Sequence, residues 1–295
     1  MIESNEPVTA DDVARHYDQL DRFYREIWGE HVHHGLWITG RESPEEAVRA
    51  LSHRVAKLAD LEPGAEVCDL GCGYGGTSRL LADDYGARVS GLTVSTAQRD
   101  YATSVTSTPG NPNYLVEDWM KNQRGNESFD ALIAIESTEH MADKVRVFSE
   151  AFRVLKPGGR IVICAWLAGS HLKEWEKRHL VEPVCREGRM PAMGTEEDYK
   201  TWMEDAGFEL GAAEDVTENV SRTWPICGWR FLVGLIRRPG YLRFILDPQN
   251  DNRIFAITMV RIWIAYQRRA MRYVIFSGTK PACGSGRGSL NPTRR

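Results

Sequence analysis

Glu66-Val-Cys-Asp-Leu-Gly-Cys-Gly-Tyr-Gly-Gly76 decides the fold of this 295-residue chain. Val67, Cys68 and Leu70 read as a short buried strand. Gly71, Gly73, Gly75 and Gly76 read as a turn with little side-chain bulk, and Thr77-Ser-Arg-Leu-Leu-Ala82 as the start of a helix. Together they make a nucleotide-type site: glycine lets the backbone approach a ligand closely, and the helix end presents free N–H groups. Gly71-x-Gly73-x-x-Gly76 also spells the dinucleotide fingerprint. Two features argue against a dinucleotide. Asp69, just ahead of the first glycine, would crowd a pyrophosphate. The next strand, Ala87-Arg-Val-Ser-Gly-Leu92, ends in Thr93 without the ribose-binding acid expected about 20 residues on. An acid beside the turn suits a ligand with a positive end and no phosphate.

S-adenosylmethionine (SAM), with its sulfonium and α-amino group, is such a ligand. Val67-Cys-Asp-Leu-Gly-Cys-Gly-Tyr-Gly75 resembles the first motif of class I SAM-dependent methyltransferases. Leu155-Lys-Pro-Gly-Gly-Arg-Ile-Val-Ile163 is similar to the turn and strand after their fourth helix. The two stand in the family's order. The resemblance implies a Rossmann-like, seven-stranded, mostly parallel sheet with its last strand antiparallel. It also implies methyl transfer from SAM, with S-adenosylhomocysteine as product. The alternation of strand and helix patterns independently predicts the α/β part. Tyr17-Asp18 followed by Ile27-Trp-Gly-x-His-x-His-His-Gly35 carries a narrower resemblance, to the gamma-tocopherol methyltransferase-like group of small-molecule enzymes. In that group the segment folds over the SAM site. By resemblance, Tyr17 contacts the methionine end, Asp118 bonds the adenine amine and Trp119 flanks the ring. Thr93 and Gln98 line the site in place of the usual acid, and Asp69, Gly71, Gly73 and Ile135 complete the cofactor contacts.

The net charge of -4 gives no electrostatic reason to expect nucleic acid. Six cysteines are scattered without a zinc spacing and read as reduced thiols. His31, His33 and His34 tempt a metal assignment, but no Cys or further His with ligand spacing joins them, so no metal is expected. The first residues lack the basic and apolar regions of a signal peptide, and no apolar run is long enough to span a membrane. The expectation is a cytoplasmic protein, with peripheral membrane contact left open.

The organisation read from pattern is a helical cap over 1–60, a SAM-binding core over 61–280 and a disordered tail over 281–295. Thr9 caps a helix over residues 8–24, and Ser43 caps one from Pro44 to Leu58. Phe129 to Ile135 is an apolar strand, and Phe208 to Glu214 is another. Ser170 to Glu187 reads as a helical lid. Residues 219–269 form an insert rich in Trp, Phe, Ile and Arg, read as helices covering a hydrophobic pocket. Met271 to Thr279 is a final strand pairing at the sheet edge.

Ligands in open α/β sheets sit beyond the strands' carboxyl ends, so Glu136-Ser-Thr-Glu-His-Met141 faces the reaction zone. His140 is the candidate base, because imidazole titrates near neutral pH. Glu136 is placed beside it as a second catalytic candidate, with Glu136 or Glu139 orienting it or steadying a developing cation. Both have structural alternatives: His140 as a helix cap, Glu136 as a cofactor contact. Trp37, Trp224, Trp229, Phe231 and Trp263 are candidates to line a pocket for a hydrophobic small molecule. The expected acceptor atom is a phenolic oxygen or an amine nitrogen. Carbon methylation of an isoprenoid alkene through a carbocation is the first alternative, and a non-catalytic SAM-fold binding protein a second.

Overall fold

The structure, a computed structural model, describes residues 1–3, 7–238, 240, 241, 246 and 255–282. The sheet is built outward from β2 (Glu66–Leu70). On one side follow β3 (Arg88–Thr93) and β4 (Asn113–Val116). On the other follow β5 (Phe129–Ile135), β6 (Leu155–Ala168) and β10 (Met271–Thr279), then the short β8 (Glu209–Leu210). The strands from β4 to β6 are parallel, and β10 runs antiparallel to β6, from Met271 opposite Ala168 to Thr279 opposite Arg160. The last strand is therefore inserted rather than at the edge, correcting the sequence reading. The strand expected from Phe208 to Glu214 is split into β8 and β9 (Glu214–Asp215), which both pair with β10 and bring the sheet to eight strands. Three residues lie between Leu210 and Glu214 but only two between their partners Ile275 and Gly278, so one residue bulges out of register. A two-stranded sheet of β1 (Ile2–Glu3) and β7 (Ala192–Met193) stands apart.

Alternation along β5 builds the two cores. Ala131, Ile133 and Ile135 join Val162, Cys164, Tyr273 and Ile275 on one face. Leu132 and Ala134 join Ile161, Ile163, Val274 and Phe276 on the other. Each such aliphatic side chain, fully buried, contributes roughly 1.5–3 kcal/mol, which is why the central strands read as unbroken apolar runs.

The helices obey local signals. α1 (Ala10–Ile27) and α2 (Pro44–Leu58) begin with full capping boxes from Thr9 to Asp12 and from Ser43 to Glu46. α3 (Gly76–Tyr85) follows the glycine turn. α4 (Thr96–Ser104) is capped by Ser95 and α5 (Lys144–Val154) by Asp143. The lid comprises α6 (Glu174–Glu176), a π-helical stretch Lys177–Val181 and α7 (Glu182–Glu187). Pro183 lies just beyond the π turn; lacking an N–H, it cannot close an α-helical bond to His179. Then come α8 (Glu196–Asp205), capped by Thr195, and α9 (Thr217–Val220). α10 (Thr223–Arg237) and α11 (Phe255–Gln267) occupy the expected insert. No helix among the described residues is long and apolar enough to cross a membrane. The tail lies outside the described residues from 283 onward.

Asp18 ties the first helix to the sheet. Its Oδ1 accepts from Ser95 Oγ and from the Ala97 N–H at 3.3 Å, so a residue of α1 secures the start of α4. Asp18→Ala is expected to cost about 1–2 kcal/mol and lower Tm by roughly 2–4 °C, measured by calorimetry. An unchanged Tm would show that α1 is not held by this contact.

Candidate active site

Two cavities open at the carboxyl ends of the parallel strands. One, of about 270 Å³, is walled by Leu70, Gly71, Gly73, Thr93, Gln98, Asp118, Trp119, Ile135 and Ser137, and is roofed by Val8, Ala10, Val13 and Tyr17 of the N-terminal segment. Eight of the nine expected cofactor residues (Tyr17, Gly71, Gly73, Thr93, Gln98, Asp118, Trp119 and Ile135) thus share one wall. Asp69 does not: it is buried, accepts a hydrogen bond from Ser78 Oγ, and burial pushes its carboxyl up to about 6. The charge argued for it from sequence is therefore not presented to this cavity.

The glycines divide in function. A Cβ on Gly71 would lie 2.2 Å from Ser137 Cβ, with φ at +83°, so this glycine permits the close approach of two strand exits. A Cβ on Gly73 would meet nothing within 4 Å; its backbone leaves open space where the cavity is. Thr93 Oγ donates to Gln98 Oε1 at 2.7 Å, fixing the amide. Asp118 Oδ1 accepts from the Met120 N–H at 2.9 Å, while Oδ2, 3.8 Å from Lys121 Nζ, keeps capacity to accept from an amine. A glycine cradle, an amide and hydroxyl pair, an acid at the third strand and a buried indole fit an adenosyl ligand without phosphates.

The second cavity, of about 370 Å³, is walled by Tyr24, Trp28, His34, Trp166 and Trp224, by Val184 and Arg186 to Met190 at the end of the lid, and by Thr258, Met259 and Ile262 of α11. It shares Tyr17, Val32, Glu136 and His140 with the first. Of the five expected pocket residues only Trp224 lines it. Trp37 is buried elsewhere, its indole N–H donating to Glu42 O at 3.0 Å. Phe231 is buried against Tyr241. Trp229 is 67% exposed and Trp263 is 42% exposed. The helical phase explains this: Trp224, Cys227, Phe231 and Gly234 share the buried face of α10, and Trp229 does not. Trp28, Trp166 and the lid residues Arg186 to Met190 were not anticipated; the lid's helical pattern was visible, but not which of its residues turn inward.

At the junction the two expected catalytic residues differ in kind. Glu136 has φ +54°, a left-handed conformation rare outside glycine, at the exit of β5. Its Oε1 accepts from the His34 N–H at 2.7 Å, His34 Nδ1 at 3.0 Å and Tyr273 OH at 2.8 Å, and its Oε2 from the Trp166 indole at 2.8 Å. Burial opposes ionisation, but the donors, His34 foremost, outweigh it and hold the carboxyl at about 2. His34 Nε2 in turn accepts from the Trp224 indole at 2.8 Å. An indole only donates, so the His34 proton sits on Nδ1.

His140 Nδ1 lies 3.1 Å from Arg189 O, and a carbonyl only accepts, so this nitrogen carries the proton. Nε2 is then the lone-pair nitrogen, 3.1 Å from Tyr17 OH, which donates to it. Burial lowers the His140 pKa to about 4, and burial also raises that of Tyr17 well above its usual value. Glu139 is buried too, but accepts from the Trp166 N–H and does not pair with the His140 ring. Lys144 is buried beneath the turn, its Nζ donating to Thr138 O and Met141 O, both at 2.6 Å. His31 and His33 are 3.2 Å apart, and His33 reaches Thr77 Oγ at 3.3 Å, a hydrogen-bonded anchor for the segment.

A parallel α/β sheet with a glycine cradle at its first strand exit, and an acceptor-sized cavity opening onto it, defines the class I SAM-dependent methyltransferases. The family described as mycolic acid cyclopropane synthetase matches residues 5–231, and the chain belongs to it. Within the class it falls in the tocopherol-methyltransferase-like subgroup. It is 31% identical to the chloroplastic tocopherol O-methyltransferase of Arabidopsis thaliana over 76% of this chain and 72% of that one. It is 28% identical to the 27-O-demethylrifamycin SV methyltransferase of Amycolatopsis mediterranei over 92% and 98%. A cyclopropane synthase from Mycobacterium tuberculosis shares the fold, with a TM-score of 0.81 and 19% identity, over 94% of this chain and 100% of that one. The protein is a SAM-dependent methyltransferase, with SAM as its methyl donor.

The two glycines separate folding from binding. Gly71→Ala is expected to unfold or strongly destabilise the chain. Gly73→Ala, at φ +54°, should remain folded at a cost of about 1–2 kcal/mol but bind SAM at least tenfold more weakly by calorimetric titration. Undiminished SAM affinity in the second variant would remove Gly73 from the cofactor wall.

Proposed function

We propose that the chain methylates a hydrophobic small molecule at a phenolic oxygen or an amine nitrogen, with His140 as general base. The observation that carries this reading is the shared wall of the two cavities, where His140 Nε2 and Tyr17 OH stand 3.1 Å apart. In this reading SAM lies in the smaller cavity, held by Gly71, Gly73, Thr93, Gln98, Asp118, Trp119, Ile135 and Tyr17. When bound, SAM supplies an electrophilic methyl group on a sulfonium that leaves as a neutral thioether.

The acceptor occupies the larger cavity. Its ring or chain lies against Tyr24, Trp28, Trp166 and Trp224, which exclude water from the transfer. The acceptor's O–H or N–H approaches His140 Nε2, displacing the Tyr17 hydroxyl, and its proton moves to that nitrogen as the methyl arrives. The Nδ1–H bond to Arg189 O holds the ring in the tautomer this requires. Glu136 stays ionised beside the junction and favours the cationic imidazole that results. The acceptors in the relatives' names, a tocopherol and a rifamycin, support a bulky, largely apolar substrate.

A second reading has its own support. The same ring faces, with the charge of Glu136, would suit a carbocation formed by methylating an alkene carbon. The fold shared with a cyclopropane synthase is consistent with it. Methyl-labelled SAM offered with phenols, cyclic amines and prenyl diphosphates separates the two. Label is expected in phenol or amine, with kcat reduced roughly 10²–10⁴-fold in His140→Ala while SAM affinity is retained. Label only in the prenyl pool would replace oxygen or nitrogen transfer by carbon transfer.

The pH profile tests the base directly. Burial keeps His140 neutral down to a pKa of about 4, so its accepting form is present above that value and lost below it. The wild-type kcat/KM is expected to show no acid limb between about pH 6 and 8, after correction for acceptor ionisation. A limb centred near 6.5 would mean a freely solvated imidazole and would contradict this site geometry.

A further inference from the structure

We infer that the outer face of the α10–α11 helix pair docks on an anionic lipid surface and sets the acceptor cavity beside it. Each helix has two working faces. Inward, Trp224 of α10 and Met259 and Ile262 of α11 line the 370 Å³ cavity. Outward, α10 exposes Trp229, Leu232 and Ile236, the last 87% exposed, and α11 exposes Ile257, Val260 and Trp263. Their spacings of three and four residues make each a stripe along its helix. Six large apolar side chains left in water on two adjacent helices need a partner of their own kind.

The charge of the segment says which partner. Residues 219–269 contain nine arginines, two aspartates, and no lysine or glutamate, a surplus of +7 in a chain whose total is -4. The rest of the chain therefore carries -11. Residues 270–295 add five basic residues and no acid, so the net positive charge lies in the C-terminal part of the chain that includes these helices, while residues 1–218 carry -16. A basic segment that also exposes apolar stripes is the pattern of an interfacial helix pair. Several arginines contact acids of other elements, such as Arg230 with Glu45 at 2.7 Å and Arg268 with Glu176 at 2.8 Å. Each of these two pairs has one exposed member, so it is weakened by competing ions, whereas Arg261–Glu187 is more enclosed. Anionic headgroups meet the arginines while the apolar stripes enter the acyl boundary. An acceptor dissolved in the bilayer then reaches the cavity through the helices that wall it. This last point rests on the acceptor reading above; the docking surface itself does not.

The test is flotation of the full chain with phosphatidylcholine vesicles, plain or containing phosphatidylglycerol, at low and high salt. It compares wild type with the double variant Ile236→Glu/Val260→Glu, two exposed positions outside both cavities. Wild type is expected to float with the anionic vesicles at low salt, with binding at least about tenfold weaker in the variant. The variant should keep wild-type turnover of a detergent-dispersed acceptor. Absence of wild-type binding, or equal binding by both proteins, would overturn the proposal. So would a wild-type dimer that the variant converts to monomer in sedimentation, which would assign the face to a second copy. Flotation needs no acceptor, so a failure to turn over any acceptor would strike the catalytic reading alone.

Discussion

The carboxylate of Glu136 is the point at which separate parts of this chain are joined. It reaches His34 in the N-terminal segment, Trp166 on β6 and Tyr273 on β10, and through His34 it reaches Trp224 on α10. A buried carboxylate without donors costs several kcal/mol, so the chain gains by bringing every donor to it at once. That requirement explains the left-handed backbone at residue 136, which turns the side chain away from the sheet axis toward those donors. The carboxylate also engages the His-rich segment: His34 bonds a carboxylate and an indole, and His33 reaches hydroxyls of α2 and α3.

The same network fixes walls of the larger cavity. Trp166 and Trp224 are both hydrogen-bonded through their indole nitrogens, so their rings cannot turn without breaking a buried bond. Their rings stand 5.6 Å apart and nearly perpendicular, a rigid corner rather than a soft lining. The opposite wall comes from the lid, where the π-helical stretch and the left-handed Arg189 depart from regular geometry. One wall is set by the sheet and its carboxylate; the other is a short irregular segment.

How far sequence carried the reading follows from the range of each interaction. Capping by Thr9, Ser43, Ser95 and Thr195 spans three residues, and all four caps stand where such patterns put a helix start. The glycine turn is equally local. Asp69 shows the limit of local chemistry: the acid was invoked for a positive ligand, but the fold buries it against Ser78, and the ionised carboxylate near the junction is Glu136. Tryptophan content pointed to an aromatic pocket, but only the phase of α10 distinguishes Trp224 from Trp229. Partners 102 residues apart, such as His34 and Glu136, leave no spacing to read. The place of β10 inside the sheet is likewise long-range: its strand pattern is legible, its neighbours are not.

The two histidines at the junction differ in their hydrogen-bond partners, and that difference supports His140 in the role proposed for it. His34 receives an indole N–H on Nε2 and gives its Nδ1 proton to Glu136. The indole can only donate, so a proton arriving at Nε2 would break that bond and leave a buried N–H unsatisfied. His140 gives its Nδ1 proton to a backbone carbonyl, a partner unchanged by charging, and faces a phenol on Nε2. A phenol hydroxyl rotates and can accept as well as donate. The hydrogen bond at His140 Nε2 can therefore survive charging by a rotation of the Tyr17 hydroxyl, although burial still disfavours the cation. Both rings border the larger cavity, but only His140 also borders the cofactor-sized one. Position and hydrogen bonding thus support the proposed role of His140 for independent reasons.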